Sequence, residues 1–178
     1  MADREILSNF SIFSNMSNDT LTEIAQRAEI LEFEPDEDIF QQDEPANNFY
    51  GLLEGELALI IMYSEKEVNH DIDYEESILV KDEILERPIE IDTIQAGEVF
   101  GWSALIKAPS QWTATARCVE RSKVFCIKAD DLRDIFDINP KQGYIFIGRL
   151  STIIAQRLHH RQEKLVEAWA EAFGAHKI

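Results

Sequence analysis

The segment Gly97-Glu98-Val99-Phe100-Gly101-Trp102-Ser103-Ala104-Leu105 offers one chemistry above all, the capture of an anion. Ser103-Ala104-Leu105 is expected to open a short helix, whose unsatisfied N–H groups would form a generic anion site. Trp102 and Trp112 flank it. An indole has one N–H donor and no acceptor, so two such rings can fill a cavity or stack on a flat ligand but cannot pair with a charge. Thr113 and Thr115 add hydroxyls nearby, of which only one strand face can point inward.

Other groups of reactive side chains carry less. Asp71, Asp73, Glu75, Ser77 and Asp82 stand at calcium-loop positions, yet Glu76 sits where that loop requires glycine for its turn. His159 and His160 are adjacent and so leave a helix in different directions, as solvated or interface histidines do. Cys118 and Cys126 lie in apolar, strand-like runs, the setting of reduced buried thiols. No Gly-x-Ser-x-Gly elbow, phosphate-binding Walker loop or His-Glu-x-x-His motif occurs, and no carboxylate pair stands out as acid and base. No enzyme, metal or cofactor is expected.

Charge limits the partners. The 178 residues hold 34 acids against 17 Lys and Arg, a formal charge of -17. Nucleic-acid binding rests on phosphate neutralisation, so this chain is expected to repel polyanions. Arg157, Arg161 and Lys164, with His159 and His160, come closest to a basic patch. Met1-Ala2-Asp3-Arg4 opens on polar sequence, and no apolar run of about 18 residues could span a membrane. A cytoplasmic protein with no membrane or nucleic-acid partner is the expectation.

The elements that must position these residues follow from periodicity. Residues 4–29 read as helical, with an N-cap at Ser17-Asn18-Asp19 and one apolar face in Leu21, Ile24, Ala25 and Ala28. From Ile30 the period shifts to short strands with turn signals, including Phe49–Leu53, Leu57–Tyr63, Ile89–Ile94, Thr113–Val119 and Ser122–Lys128, as in a barrel or roll. Residues 63–88 interrupt that rhythm with nine acids against three Lys or Arg, and suggest an extended charged hairpin. Ala129-Asp130-Asp131 starts a short helix that Pro140 ends. Residues 142–173 then form a helix of about 45 Å. Its apolar stripe is Ile147, Leu150, Ile154, Leu158, Leu165 and Trp169, with a polar gap before Leu165.

The stretch Gly97–Ile106 with Trp112-Thr113-Ala114-Thr115-Ala116-Arg117 resembles the phosphate-binding cassette of cyclic-nucleotide-binding domains. Asn139-Pro140, Arg149-Leu150-Ser151, Arg157-Leu158 and Glu163-Lys164 are similar to the catabolite activator protein branch. The resemblance implies one domain over 1–178, α+β but mainly β. It would be an eight-stranded double-stranded β-helix, a jelly-roll-like roll, over 30–128. N-terminal helices would occupy 4–29, an acidic insertion 63–88 and C-terminal helices 129–174. It further implies a ligand site at Phe100, Gly101, Trp102, Ser103, Ala104, Leu105, Gln111, Trp112, Thr113 and Ala114, with a purine contact from the long helix near Arg161 or Arg157. The departures fall on the ligand-holding residues. The family's ribose-binding Glu is Trp102 here, and its phosphate-binding Arg is Trp112 in one register or Gln111 in the other. Losing an Arg–phosphate fork removes a charge-assisted bidentate contact.

The expectation is therefore a regulatory module whose vestigial pocket is filled by its own side chains, which does not bind cyclic AMP or cyclic GMP in the usual way, and which acts on an unidentified protein partner. The alternatives are a sensor that still binds a cyclic nucleotide or another small anion in the roll, and a transcription regulator. The chain ends near where that branch would begin its helix-turn-helix domain, which weighs against the last. In the resembling family the long helix pairs two subunits, so a homodimer through Ile147, Leu150, Ile154, Leu158, Arg161, Leu165 and Trp169 is expected.

Overall fold

The computed structural model describes residues 3–68, 82–106 and 110–174. The N-terminal region is two helices joined by a 3-10 turn: α1 (Arg4–Ser8), the turn Ser11–Phe13, and α2 (Asn18–Arg27). The break has a local cause. Ser17 holds extended backbone and caps α2 by accepting the Thr20 N–H, which ends any helix arriving from upstream. The Ser17 N–H itself donates to Gln142 Oε1 at 2.9 Å, tying this cap to the start of the last helix.

Eight strands follow: β1 (Glu29–Phe33), β2 (Asp38–Phe40), β3 (Asn48–Glu54), β4 (Glu56–Val68), β5 (Asp82–Gln95), β6 (Val99–Phe100), β7 (Thr115–Cys118) and β8 (Ser122–Lys128). They form two four-stranded sheets, β1-β8-β3-β6 and β2-β7-β4-β5, and every pairing within them is antiparallel. The jelly-roll expectation holds. β4 and β5 stay paired as far as Val68 opposite Asp82, so the two described ends of the acidic segment run as one long antiparallel pair. Ile72, Tyr74, Ile78 and Val80, with the calcium-loop positions Asp71, Asp73, Glu75 and Ser77, lie outside the described residues.

Strand β7 starts at Thr115, later than the expected Thr113. The residues before it bond to a loop instead of a strand. Trp112 N–H donates to Glu44 O and Asp43 N–H donates to Trp112 O, both at 2.9 Å. That pairing turns the Trp112 ring into the roll.

Two apolar clusters hold the fold. One fills the roll between the sheets. The other lies between the β3–β8 face and the helices, where Phe10 meets Phe125 edge-on at 4.9 Å and Phe49 meets Phe146 at 5.6 Å. Gly51 permits this contact, since a Cβ there would stand 2.1 Å from the Phe125 ring.

After α3 (Ala129–Ile138), α4 runs unbroken from Pro140 to Phe173. Proline at its first turn loses no helical hydrogen bond, so the helix begins at Pro140 and not at Gln142. The single stripe expected on α4 divides in two. Leu150 is 6% exposed and belongs to the helical core with Phe146, whereas Ile147, Ile154, Leu158, Leu165 and Trp169 face outward. At about 100° per residue, Leu150 lies only about 40–60° around the helix from Ile154 and Ile147, and Phe146 about 80–100° from them. No helix among the described residues is long and apolar enough to cross a membrane.

Candidate functional site

The cassette is built from β6, the turn after it, and the segment leading into β7. Gly101 has φ 77°, and a Cβ there would stand 2.9 Å from the Tyr50 ring, so the turn requires glycine on both counts. Trp102–Leu105 forms a four-residue 3-10 helix. Ala104 N–H is already bonded to Gly101 O at 3.2 Å, and the turn is too short for a strong dipole. Of the N–H groups expected at the anion site, that of Ala104 is therefore already occupied. Arg133 Nη2 donates to Ala104 O at 2.6 Å and pins the turn from α3.

The interior is aromatic. Trp112 is 4% exposed and stacks on Phe40 at 4.0 Å with the planes 16° apart. Phe100 stacks on Tyr50 at 5.2 Å, and Phe40 approaches both. These four rings occupy the middle of the roll. The space left beside Gly101, Ser103 and Thr113 is about 80 Å³, whereas small-molecule sites usually offer roughly 300–1,000 Å³. Gln111, the other candidate for the family's Arg position, faces outward and donates from Nε2 to Asp43 O at 2.8 Å. Ala114 is buried, Thr113 is exposed, and the buried Thr115 Oγ1 accepts the Gln42 N–H at 3.0 Å.

Trp102 does not join Trp112 inside the roll. It packs against the helical core and takes the Arg157 guanidinium over its ring at 4.9 Å. Arg157 has an 11% exposed side chain, and its Nη2 donates to Val99 O at 3.0 Å. Its nearest carboxylate is Glu98, at 3.8 Å. Burial lowers its pKa from the usual arginine value, and Glu98 and Asp92 oppose that. Arg161 donates from Nε and Nη2 to Asp92 Oδ2 at 3.4 and 3.3 Å. Both α4 arginines therefore tie the helix to the roll, one at the β5–β6 turn and one on β5.

Asp92 and Glu98 did not stand out in the sequence. An acid between Ile91 and Ile94 in an apolar strand was the available signal for Asp92, which is 5% exposed. Burying a carboxylate is costly without a partner, so an arginine opposite it was to be sought. Of the two thiols expected to be buried, Cys118 is buried and Cys126 half-buried, and burial raises Cys126 to about 11 and also raises Cys118. Among the described residues no His, Cys, Asp or Glu cluster is arranged to hold a metal. His159 lies 3.6 Å from Glu163, and His160 points elsewhere.

A model of the cyclic nucleotide-binding domain family matches residues 30–139. No curated protein sequence matches the chain. Solved structures share its fold. A protein from Geobacter metallireducens GS-15, described as cyclic nucleotide-binding, superimposes with a TM-score of 0.67 at 24% identity, covering 89% of this chain and all of that one. The regulatory domain of Toxoplasma gondii PKA with cAMP gives 0.62 at 20%, covering 86% of this chain and 48% of that one. The sensor domain of the transcriptional regulator DNR from Pseudomonas aeruginosa gives 0.59 at 19%, covering 88% and 91%.

Proposed function

We propose that this chain, which belongs to the cyclic nucleotide-binding domain family, is a regulatory module whose cassette pocket is filled by its own side chains and which acts through protein contacts. The observation that carries this is the Trp112–Phe40 stack, which leaves about 80 Å³ where a nucleotide would need several times more. The two residue types that would grip ribose and phosphate are also missing, since an indole supplies neither a carboxylate nor a cation. The α4 arginines support the same reading. Asp92, Glu98 and Trp102 hold the helix against the roll.

Cyclic AMP and cyclic GMP are expected to bind no better than about 1 mM, some 4 kcal/mol. Titration calorimetry tests this. A micromolar dissociation constant with either nucleotide refutes the filled pocket and favours a domain that takes up a cyclic nucleotide, as the Toxoplasma regulatory domain does in its co-crystal with cAMP.

The partner is a protein, and the first is a second copy. α4 has a buried apolar face and a separate outward one, including Leu165, Trp169 and Phe173. Such a stripe on a 34-residue helix suits a twofold mate, which repeats the same patch on both subunits. Charge argues against nucleic acid. At -17 the chain is expected to leave duplex DNA unshifted even at low salt, where attraction is least screened. A specific mobility shift near about 50 mM salt overturns that expectation. The free thiols Cys118 and Cys126 agree with a reducing, cytoplasmic setting. No catalytic step forms part of the proposal.

A further inference from the structure

A second cavity lies outside the roll, between α4 and the β5–β6 turn, where Gly97, Glu98 and Val99 of the cassette segment line it. Its volume is about 580 Å³, compared with about 80 Å³ inside the roll. That is within the range of small-molecule sites. Arg157, His160 and Lys164 form its helical wall, and Asp92 and Glu98 lie on the sheet side. The three basic side chains are three and four residues apart, so they share one face of α4. That face is about 120° around the helix from the apolar stripe, so a dimer formed through the stripe leaves the groove open.

The groove's acids are already engaged. Asp92 holds Arg161, and Glu98 Oε2 accepts the Gln95 N–H at 2.8 Å. Arg157 is likewise tied to Val99 O, Glu98 and the Trp102 ring, but the two exposed basic groups of the same wall are not engaged. His160 and Lys164 have no ion-pair partner among the described residues, and Arg157 Nη1 is buried without a hydrogen-bond partner. In a chain of charge -17, a hollow in which Arg157 and Lys164 balance Asp92 and Glu98, and which keeps uncommitted donors, stands against the overall balance.

We propose that this groove binds a small phosphorylated molecule, with its phosphate on Lys164 and His160 above the Arg157 guanidinium and its neutral body along Thr93 and Gln156. A phosphate monoester brings nearly two negative charges and three acceptor oxygens, which suits several donors where a carboxylate needs one cation. The site lies outside the roll pocket, with which it shares Arg157, and does not depend on whether that pocket is filled.

The test uses the full chain with pyrophosphate as probe and sulfate at matched ionic strength as control. Saturable binding with a dissociation constant on the order of 0.1–1 mM is expected by calorimetry. In 1H–15N spectra the amides of Gly97, Gln156 and His160 should shift. The double variant His160→Gln, Lys164→Gln should weaken binding at least about tenfold. Both side chains are exposed, so the fold should be unaffected. Three results would overturn the site: no saturation below about 10 mM, equal binding of sulfate, or a double variant that binds like wild type. Shifts confined to Gly101–Ala104 and Thr113–Ala114 would place the anion in the cassette and also reject the groove. A cyclic AMP titration in parallel keeps the fate of the filled pocket separate from this result.

Discussion

Trp112→Ala is expected to destabilise the protein by about 3–5 kcal/mol, the usual cost of emptying a buried aromatic site. For a chain of this length that lowers the melting temperature by roughly 6–20 °C. The cause is packing: Trp112 is buried and stacked on Phe40, and its removal leaves Phe40, Tyr50 and Phe100 facing a void. Trp112→Arg, which introduces the residue type that the family resemblance implies here in one of its two registers, should be comparably severe, because a buried guanidinium without a partner is heavily penalised. Gln111→Ala is the internal control. Gln111 is exposed and makes one side-chain hydrogen bond to Asp43 O, so its loss should cost about 1 kcal/mol or less. Thermal unfolding of the three variants decides the matter. If Trp112→Ala melts within about 2 °C of wild type, Trp112 does not plug the roll. A gain of cyclic AMP affinity in Trp112→Arg with wild-type stability would show the pocket to be open.

The second large effect concerns assembly. The protein is expected to sediment as a homodimer at micromolar concentration, and Ile154→Asp should weaken that dimer by at least about 100-fold, some 2.7 kcal/mol. A twofold interface would set two unpaired carboxylates close together, away from water. Leu150→Ala is the informative comparison. Leu150 is buried in its own subunit, so its truncation should cost about 2–5 kcal/mol of fold stability and leave dimer affinity nearly unchanged. A wild-type chain sedimenting at 20.5 kDa refutes the dimer. A dimer that tolerates Ile154→Asp while remaining folded places the interface elsewhere, with the long β4–β5 hairpin next to test.

The position of Trp112 also shows how local pairing can override a strand pattern. Thr113–Val119 alternates well enough to read as one strand. The segment before Thr115 nonetheless pairs with the loop at Asp43–Ala46, and that pairing aims the indole inward and Gln111 outward. Two registers open in the sequence thus become one arrangement through hydrogen bonds to residues about 65 positions away, which no local pattern encodes.

Much of this protein was legible in its residues alone. The Gly97–Leu105 cassette, the change from helical to strand period at Ile30, the stop at Pro140 and the long apolar repeat of α4 determine a roll flanked by helices, because those signals depend on neighbours a few residues apart. The substitutions at Trp102 and Trp112 likewise announced a pocket without its usual charges. Only the tertiary structure decided what the altered residues do. It put Trp112 inside the roll and Trp102 under Arg157, divided the α4 stripe into a core face and an outward face, and turned Arg157 and Arg161 into ties to Glu98 and Asp92. The placing of the two indoles and the two arginines depends on partners about 55 to 72 residues distant, from Trp102–Arg157 to Phe40–Trp112, and on which side chain best fills a shared volume. A buried charge chooses its partner by what the fold brings near it, and that is settled only once the chain has closed.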